Sequence, residues 1–88
     1  MTSVDLPEVL DRRAAARLAE ALLQLRGVDL DLQAAAFKRM GAQGAEVLLA
    51  AEKQWREDGV KLGLLGLTPQ GREAFTRLGL APPATPEG

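Results

Sequence analysis

The residues that point most directly to a functional site are Met40-Gly41-Ala42-Gln43-Gly44, a segment that we call the 40–44 turn. The pattern predicts that the chain leaves a strand, turns at small residues and enters a helix. The first backbone N–H groups of a helix have no partner inside the helix and lie at the positive end of its dipole, so such a turn can hold an anion or contact another protein. Ala42 places a methyl group where a reactive side chain would be needed, which predicts a binding surface without chemistry of its own.

Composition excludes most catalytic chemistry. The chain contains no histidine, cysteine or tyrosine and has one serine, Ser3, so no base–nucleophile arrangement is recognisable. Asp29 and Asp31 alternate in a way that could suggest a cation site, but without a third oxygen ligand they indicate a solvated strand face. A phosphoacceptor domain needs a carboxylate at a strand end, where this chain has Gln33 and Leu67. We therefore expect a protein that is not an enzyme and that uses no cofactor or metal.

Charge and hydropathy restrict the possible partners further. Eleven basic and twelve acidic residues give a net charge of −1 without a run of either sign, which argues against nucleic-acid binding. No apolar run approaches the roughly 20 residues of a membrane span, and no secretory signal is recognisable, so a cytoplasmic location is expected. We also expect a monomer. Arg12, Arg13 and Arg17 form a small basic face, interpreted either as a docking surface for an acidic partner or as ordinary solubility.

The 40–44 turn needs flanking elements to position it, and the first half of the chain predicts three. Residues 4–10 are apolar and interrupted by Pro7, which suits an edge strand. Asp11 then caps a helix that stops at Gly27. Residues 28–33 alternate strictly between apolar and polar, which predicts a strand with one buried face and helices on one side of the sheet. The apolar positions of the helix follow helical spacing: Ala14, Leu18, Leu22 and Leu25.

The second half predicts two more helices around a third strand. Residues 34–39 give no clear pattern, and the next helix runs from about Gln43 to Asp58 with Trp55 in the core rather than in a binding site. Residues 60–67 are apolar enough for a central strand. Thr68 then caps a helix with Pro69 at its first position. Its apolar stripe comprises Ala74, Phe75 and Leu78, and residues 81–88 are predicted to be an unstructured tail after a single domain.

Strand and helix alternate three times, which predicts an α/β fold with about three parallel strands. The same order resembles a STAS domain, the family of anti-sigma-factor antagonists. This resemblance implies a βα superhelix with three main helices mostly on one side of a mixed sheet. The landmarks that carry it are Leu10-Asp11, the 40–44 turn followed by Val47-Leu48-Leu49, Gly59, Thr68-Pro69 and Leu78-Gly79-Leu80.

The resemblance assigns roles within the 40–44 turn. In the family this turn usually resembles Asp-Ser-Ser-Gly or Asp-Thr-x-Gly, and a partner kinase phosphorylates its hydroxyl. Gly41 takes the aspartate position, Ala42 the phosphoacceptor position, Gln43 the next and Gly44 that of the glycine. A methyl group cannot accept phosphate, so Ala42 is a degenerate phosphoacceptor. The expected partner-binding residues are these four with Arg39 at their border, although a turn with only a structural role fits the same residues.

A narrower resemblance is to the small STAS proteins encoded beside chemotaxis genes in alphaproteobacteria. It implies that the protein is an adaptor and that its partner is a signalling histidine kinase. The alternatives are the STAS subunit that binds the ATPase of a bacterial lipid-transport ABC system, in which a threonine is usual near the position of Ala42, and an anti-sigma factor antagonist. A small ligand at the 40–44 turn also stays open. The stretches that carry the narrower resemblance are Leu6-Pro7-Glu8-Val9-Leu10-Asp11, Leu22-Leu23-Gln24-Leu25-Arg26-Gly27 and residues 47–55, closing at Asp58-Gly59.

Overall fold

Strands and helices alternate along residues 2–80, the part of the chain that this computed structural model describes. The predicted tail at residues 81–88 lies outside these residues. The α/β class and the three helices are as predicted, and every strand pair is parallel, so the described residues contain no mixed sheet. The elements are β1 (Thr2–Asp5), β2 (Val9–Leu10), α1 (Arg12–Gln24), β3 (Leu30–Gln33), β4 (Arg39–Met40), α2 (Ala42–Glu57), β5 (Leu62–Leu65) and α3 (Pro69–Arg77).

The main sheet has three strands in the order β1-β3-β5. Leu32 pairs with Val4 on one side and with Leu64 on the other, and this face is buried in the core. Asp31 lies on the opposite face beside the exposed Ser3, which confirms that helices cover one side of the sheet. Two expectations need correction. Residues 60–67 supply an edge strand of the described sheet, because β5 pairs only with β3, and Asp29 precedes β3 rather than lying within it.

The single strand predicted for residues 4–10 is two strands that belong to different ladders. β1 pairs with β3, whereas β2 pairs with β4 over only two residues each, Val9 with Arg39 and Leu10 with Met40. Leu6 lies between them, fully buried, and its N–H donates to the carbonyl of Gln33 at 2.9 Å. The following Pro7 has no N–H to continue the ladder. The chain therefore crosses from one ladder to the other at residues 6–8.

Local capping explains where the helices begin and end. The carboxylate of Asp11 accepts a hydrogen bond from the N–H of Ala14 at 2.9 Å, and the hydroxyl of Thr68 accepts one from Gly71 at 3.1 Å. Both caps were predicted from the sequence. Gly27 has a φ of 87°, as suits the left-handed stop after α1. One helix expectation was wrong: Leu78 is 40% exposed, because α3 ends at Arg77 and Leu78 no longer follows its buried stripe.

The core beneath the sheet contains the large aromatic residues. Trp55 is buried, as expected, and its indole Nε1 donates to the carbonyl of Val28 at 2.8 Å, so its polar atom is satisfied. The rings of Phe37 and Phe75 pack edge to face with centroids 5.9 Å apart. These contacts connect α2 and α3 to the loops at the two ends of β3.

Helix α2 begins directly against β2. A Cβ atom at Gly44 would lie 2.8 Å from the carbonyl oxygen of Leu10 and 2.9 Å from its Cγ. Carbon atoms do not approach a backbone oxygen so closely without displacement, and the main chain of Leu10 is held in the β2–β4 ladder. Glycine is therefore required at position 44 by a close approach of two backbones.

We expect Gly44→Ala to destabilise the protein. The overpacking of a tight contact costs about 1–3 kcal/mol, which exceeds the gain of at most about 1 kcal/mol from helix propensity. Each kcal/mol lowers the midpoint of thermal unfolding by roughly 4–8 °C in a domain of this size. Gly41→Ser is the matched control, because a Cβ there meets no atom within 4 Å and serine suits a helix cap. A Gly44→Ala midpoint at or above that of the wild type would contradict the close approach.

The C-terminal ends of α1 and α2 are joined by a polar cluster. The guanidinium of Arg26 donates to both carboxylate oxygens of Asp58, at 3.2 and 3.3 Å, and Gln54 donates to the same carboxylate at 3.0 Å. The hydrogen bond from Arg26 lowers the pKa of Asp58 below its ordinary value of 3.8.

This lowered pKa predicts a pH-dependent contribution to stability. Because the folded-state pKa lies below the unfolded one, the carboxylate stabilises the fold above the unfolded pKa, and the effect is lost as pH falls through the folded value. Asp58→Asn should therefore lower the melting midpoint at neutral pH and have no effect in strong acid. Glu52→Gln is the control. Its pair with Arg56 is an exposed i,i+4 contact, so its loss should change the melting midpoint little. An equal loss for Asp58→Asn at both pH values would show that the charge is not responsible.

Candidate partner-binding site at the start of helix α2

The backbone alone holds the 40–44 turn in place. Gly41 has extended dihedral angles, φ −95° and ψ −176°, and stands immediately before the first residue of α2. Its N–H donates to the carbonyl of Leu10 at 3.3 Å, and its own carbonyl accepts from the N–H of Ala45 at 3.1 Å. The turn is thus fixed to β2 on one side and to the first helical turn on the other.

The start of α2 differs from the starts of the other two helices. Asp11 caps α1 and Thr68 caps α3 through their side chains, whereas Gly41 has no side chain and no side chain caps α2. The first turn of α2, like those of α1 and α3, contains no acidic residue. The positive end of the helix is therefore open to acceptor oxygens or carboxylates from outside the domain.

The structure separates the predicted site residues by exposure. Gly41, Ala42 and Gln43 are exposed, whereas Gly44 is buried beneath Leu10 and serves the close approach of α2 to β2. The surface of the predicted site therefore comprises Arg39 and residues 41–43. Ala42 opens the helix with a methyl group and offers no oxygen that could accept phosphate.

Arg39 lies at the edge of a groove of 480 Å³ between β4 and α3. Lys38 in this groove pairs with Glu8 at 3.7 Å, and Arg77 pairs with Glu73 at 3.1 Å. Arg39 is exposed, and it has no carboxylate within 4 Å among residues 2–80. It is the cation in this groove that is free to meet a carboxylate of a partner.

Sequence reasoning missed the α3 wall of this groove. Gln70, Glu73 and Arg77 contribute polar side chains to it, together with Met40 from β4. The signal was the helical spacing of Gln70, Glu73 and Arg77, which places them on one face of α3 beside Ala74. The face alone could not be assigned, because nothing in the local sequence shows that α3 packs beside β4.

The described residues provide little for other chemistry. Residues 2–80 contain no group of three acidic, histidine or cysteine side chains that could hold a metal ion. The carboxylate of Asp29 accepts a hydrogen bond from the N–H of Lys61 at 2.9 Å, so it serves the turn before β5. Within the same residues, no helix is long and apolar enough to cross a bilayer. The arrangement at the 40–44 turn is suited to binding.

Comparison with solved structures supports the fold. A structure titled "Crystal Structure Analysis of Mglu" matches with a TM-score of 0.64 and 22% sequence identity. The match covers 72% of this chain and 16% of that chain, so this domain corresponds to a small part of the longer protein. At this level of identity the likeness concerns the fold alone.

Comparison with families is more specific. A search of curated proteins finds no match. The family model described as "Mlab, STAS domain" matches residues 2–82. This span includes both ladders, all three helices and the 40–44 turn. The chain therefore belongs to the STAS domain family, whose members are protein-interaction and regulatory modules.

Proposed function

We propose that this STAS domain is a non-catalytic adaptor for a bacterial signalling histidine kinase of the chemotaxis type. The observation that carries the proposal is the start of α2, which is exposed and has no side-chain cap. We further propose that Ala42 occupies the family's phosphoacceptor position, as the resemblance of the turn implies. A protein partner approaches residues 41–43, of which Gly41 and Ala42 are small, and places acceptor oxygens on the free N–H groups. Arg39 at the border adds a charge for a partner carboxylate.

The composition of the turn favours a protein partner over a reaction. Small side chains keep the main chain accessible, and backbone N–H groups need no special side chain to bind an oxygen. The chain has no histidine, cysteine or tyrosine with which to transfer a proton or form a covalent intermediate. We therefore propose that binding itself is the activity, and that the protein acts in the cytoplasm, where the kinase domain of such a partner would be found.

Ala42 gives the adaptor a fixed state. A phosphate on a serine or threonine adds about −1.5 to −2 charges, and in a switchable interface that charge repels or releases the partner. A methyl group at position 42 cannot carry this charge, so the interface always has its unmodified form. Control of the complex then depends on the partner or on the amount of adaptor.

A second candidate is supported by the family comparison. The matching model carries the description "Mlab, STAS domain" and makes no reference to chemotaxis. In this candidate the same surface at the start of α2 binds the ATPase subunit of a lipid-transport ABC system. The two candidates share the surface and differ in the partner, so a parallel titration against both partner classes separates them.

One prediction of this proposal concerns phosphorylation. After incubation with a candidate kinase and ATP, we expect mass spectrometry to find no phosphate on residues 40–44 of the wild type. Ala42→Ser is the informative variant, because it restores a hydroxyl at an exposed position and should be phosphorylated by a serine/threonine kinase that recognises the turn. Stoichiometric phosphate on Thr68 or Thr76 of the wild type would contradict the fixed-state interpretation.

Another prediction tests whether the start of α2 is the partner-binding surface. Ala42→Glu should weaken binding to the partner about tenfold, or about 1.4 kcal/mol, because a carboxylate must be desolvated in an interface built for a methyl group. Folding should be unchanged or slightly stabilised, since an acidic residue suits a helix N-terminus. Calorimetric titration against the purified kinase and the purified ATPase measures the affinity, and thermal melts measure the folding.

Ala42→Gln is the matched control for size without charge. A smaller loss for glutamine than for glutamate assigns the effect to the carboxylate. If Ala42→Glu binds both partners within twofold of the wild type while the melts coincide, the start of α2 is not the interface. A loss confined to the ATPase would replace the kinase proposal with the second candidate.

A further inference from the structure

A second surface, separate from the 40–44 turn, lies between the first two helices. An apolar groove of 260 Å³ runs along the seam of α1 and α2, and we call it the α1–α2 groove. Ala19 and Leu23 contribute to its α1 wall, Val47 and Ala50 to its α2 wall, and Trp55 to its lining. Leu23 is 69% exposed, the largest exposure recorded for a large hydrophobic side chain in residues 2–80. An apolar groove bordered by an exposed leucine is a feature of binding surfaces.

The exposed surface of α1 on the N-terminal side of this groove is basic. Arg12 lies on the same helical face as Ala19 and Leu23 but about 10 Å before Ala19, and Arg13 and Arg17 share the next face with Glu20. None of the three lines the groove, whose charged lining residue is Arg26, paired with Asp58. Among the described residues, none of these three arginines has a carboxylate within 4 Å. The chain as a whole has a net charge of −1, so the positive charge of this cluster is local and opposite in sign to that of the whole chain.

Two of the arginines do not help the fold. Arg12 and Arg13 are the first two residues of α1, which has no acidic residue in its first turn. The N-terminus of a helix carries a partial positive charge, so cations there are repelled and anions are favoured. Both side chains are exposed and have no ion-pair partner in the described part of the chain. Their placement opposes the dipole of α1, so the stability of this helix does not explain their charge.

We propose that the α1–α2 groove binds an acidic amphipathic helix of another protein. The apolar face of that helix fills the groove over Leu23 and Val47, and the part of the helix that extends past Ala19 carries the carboxylates that meet the arginines of α1. The wall residues recur at helical spacing along α1 from Ala19 to Arg26, a length of about 10 Å, which accommodates about two turns of the bound helix. This interaction is independent of the proposed binding at the 40–44 turn.

Charge complementarity selects this occupant over a second copy of the chain. A symmetric dimer through the groove would bring the basic faces of two α1 helices together, and like charges at an interface oppose association. A neutral apolar helix would fill the groove but leave Arg12, Arg13 and Arg17 without partners. An acidic amphipathic helix satisfies both the groove and the arginines.

The chain contains its own reporter for the test. Trp55 lines the groove and is the single tryptophan of a chain without tyrosine, so its fluorescence reports on the groove. The probe is a synthetic helical peptide of about 18 residues with leucines on one face and glutamates on the other, and its counterpart has lysines in place of the glutamates. We expect the glutamate peptide to produce a saturable change in Trp55 emission and the lysine peptide to bind at least tenfold more weakly.

Matched variants separate the apolar contact from the charge. Leu23→Gln should lower the affinity for the glutamate peptide about tenfold. Leu49 is an exposed leucine of α2 outside the groove lining, so Leu49→Gln should leave this affinity within twofold of the wild type. The double variant Arg12→Gln and Arg13→Gln should weaken binding about tenfold while its melting midpoint stays equal or rises. Arg72→Gln on α3 is the control arginine and should change neither quantity.

Several outcomes would overturn the proposal. These are the absence of a saturable signal, equal affinity of the two peptides, or a lower melting midpoint for the double arginine variant. Sedimentation equilibrium tests the remaining occupant: a dimer of the wild type that Leu23→Gln abolishes would show that a second copy fills the groove. Ala42→Glu should leave the peptide affinity unchanged, so failure of the groove and failure of the 40–44 turn are distinguishable.

Discussion

Helix α2 starts against the main chain of β2, with no space for a side chain between them. The carbonyl oxygen of Leu10 accepts a hydrogen bond from the N–H of Gly41 and lies only 2.8 Å from the position that a Cβ of Gly44 would take. Asp11, the cap of α1, follows Leu10 directly. One residue of a two-residue strand therefore positions the starts of two helices. The exposed turn and the α1–α2 groove both depend on this arrangement, because each requires α1 and α2 side by side on the same ladder.

The sequence predicted the elements whose signals are local. The caps at Asp11 and Thr68 and the stop at Gly27 depend on a few neighbouring residues, so the sequence alone predicts each of them. The β2–β4 ladder was missed because each strand has two residues, too few for an alternating pattern to appear. Its stability comes from a pairing between segments 30 residues apart. The placement of β5 at an edge was missed for a similar reason, since apolar content measures burial and not the number of neighbouring strands.

The candidate site divides in the same way into features that the local sequence predicts and features that depend on distant segments. The turn between a strand and a helix, its small residues and the missing hydroxyl of Ala42 are all visible in the sequence. The burial of Gly44 and the groove beside Arg39 are not, because both arise from contacts with distant segments, namely β2 and α3. Likewise, Leu23 gave no signal as a surface residue, since a leucine on an amphipathic helix is expected in the core.

The three helix starts differ in how well each follows the rules of helix stability. α3 begins with Thr68 as its cap and proline in its first turn, and no binding is proposed there. α2 lacks a side-chain cap, and α1 has a good cap at Asp11 followed by two arginines that oppose its dipole. Natural sequences are locally consistent except where another requirement intervenes, and functional sites are common among the exceptions. The exceptions differ in kind, one exposing backbone donors and the other adding positive charge. Two different departures at neighbouring helix starts are better explained by two partner surfaces than by one.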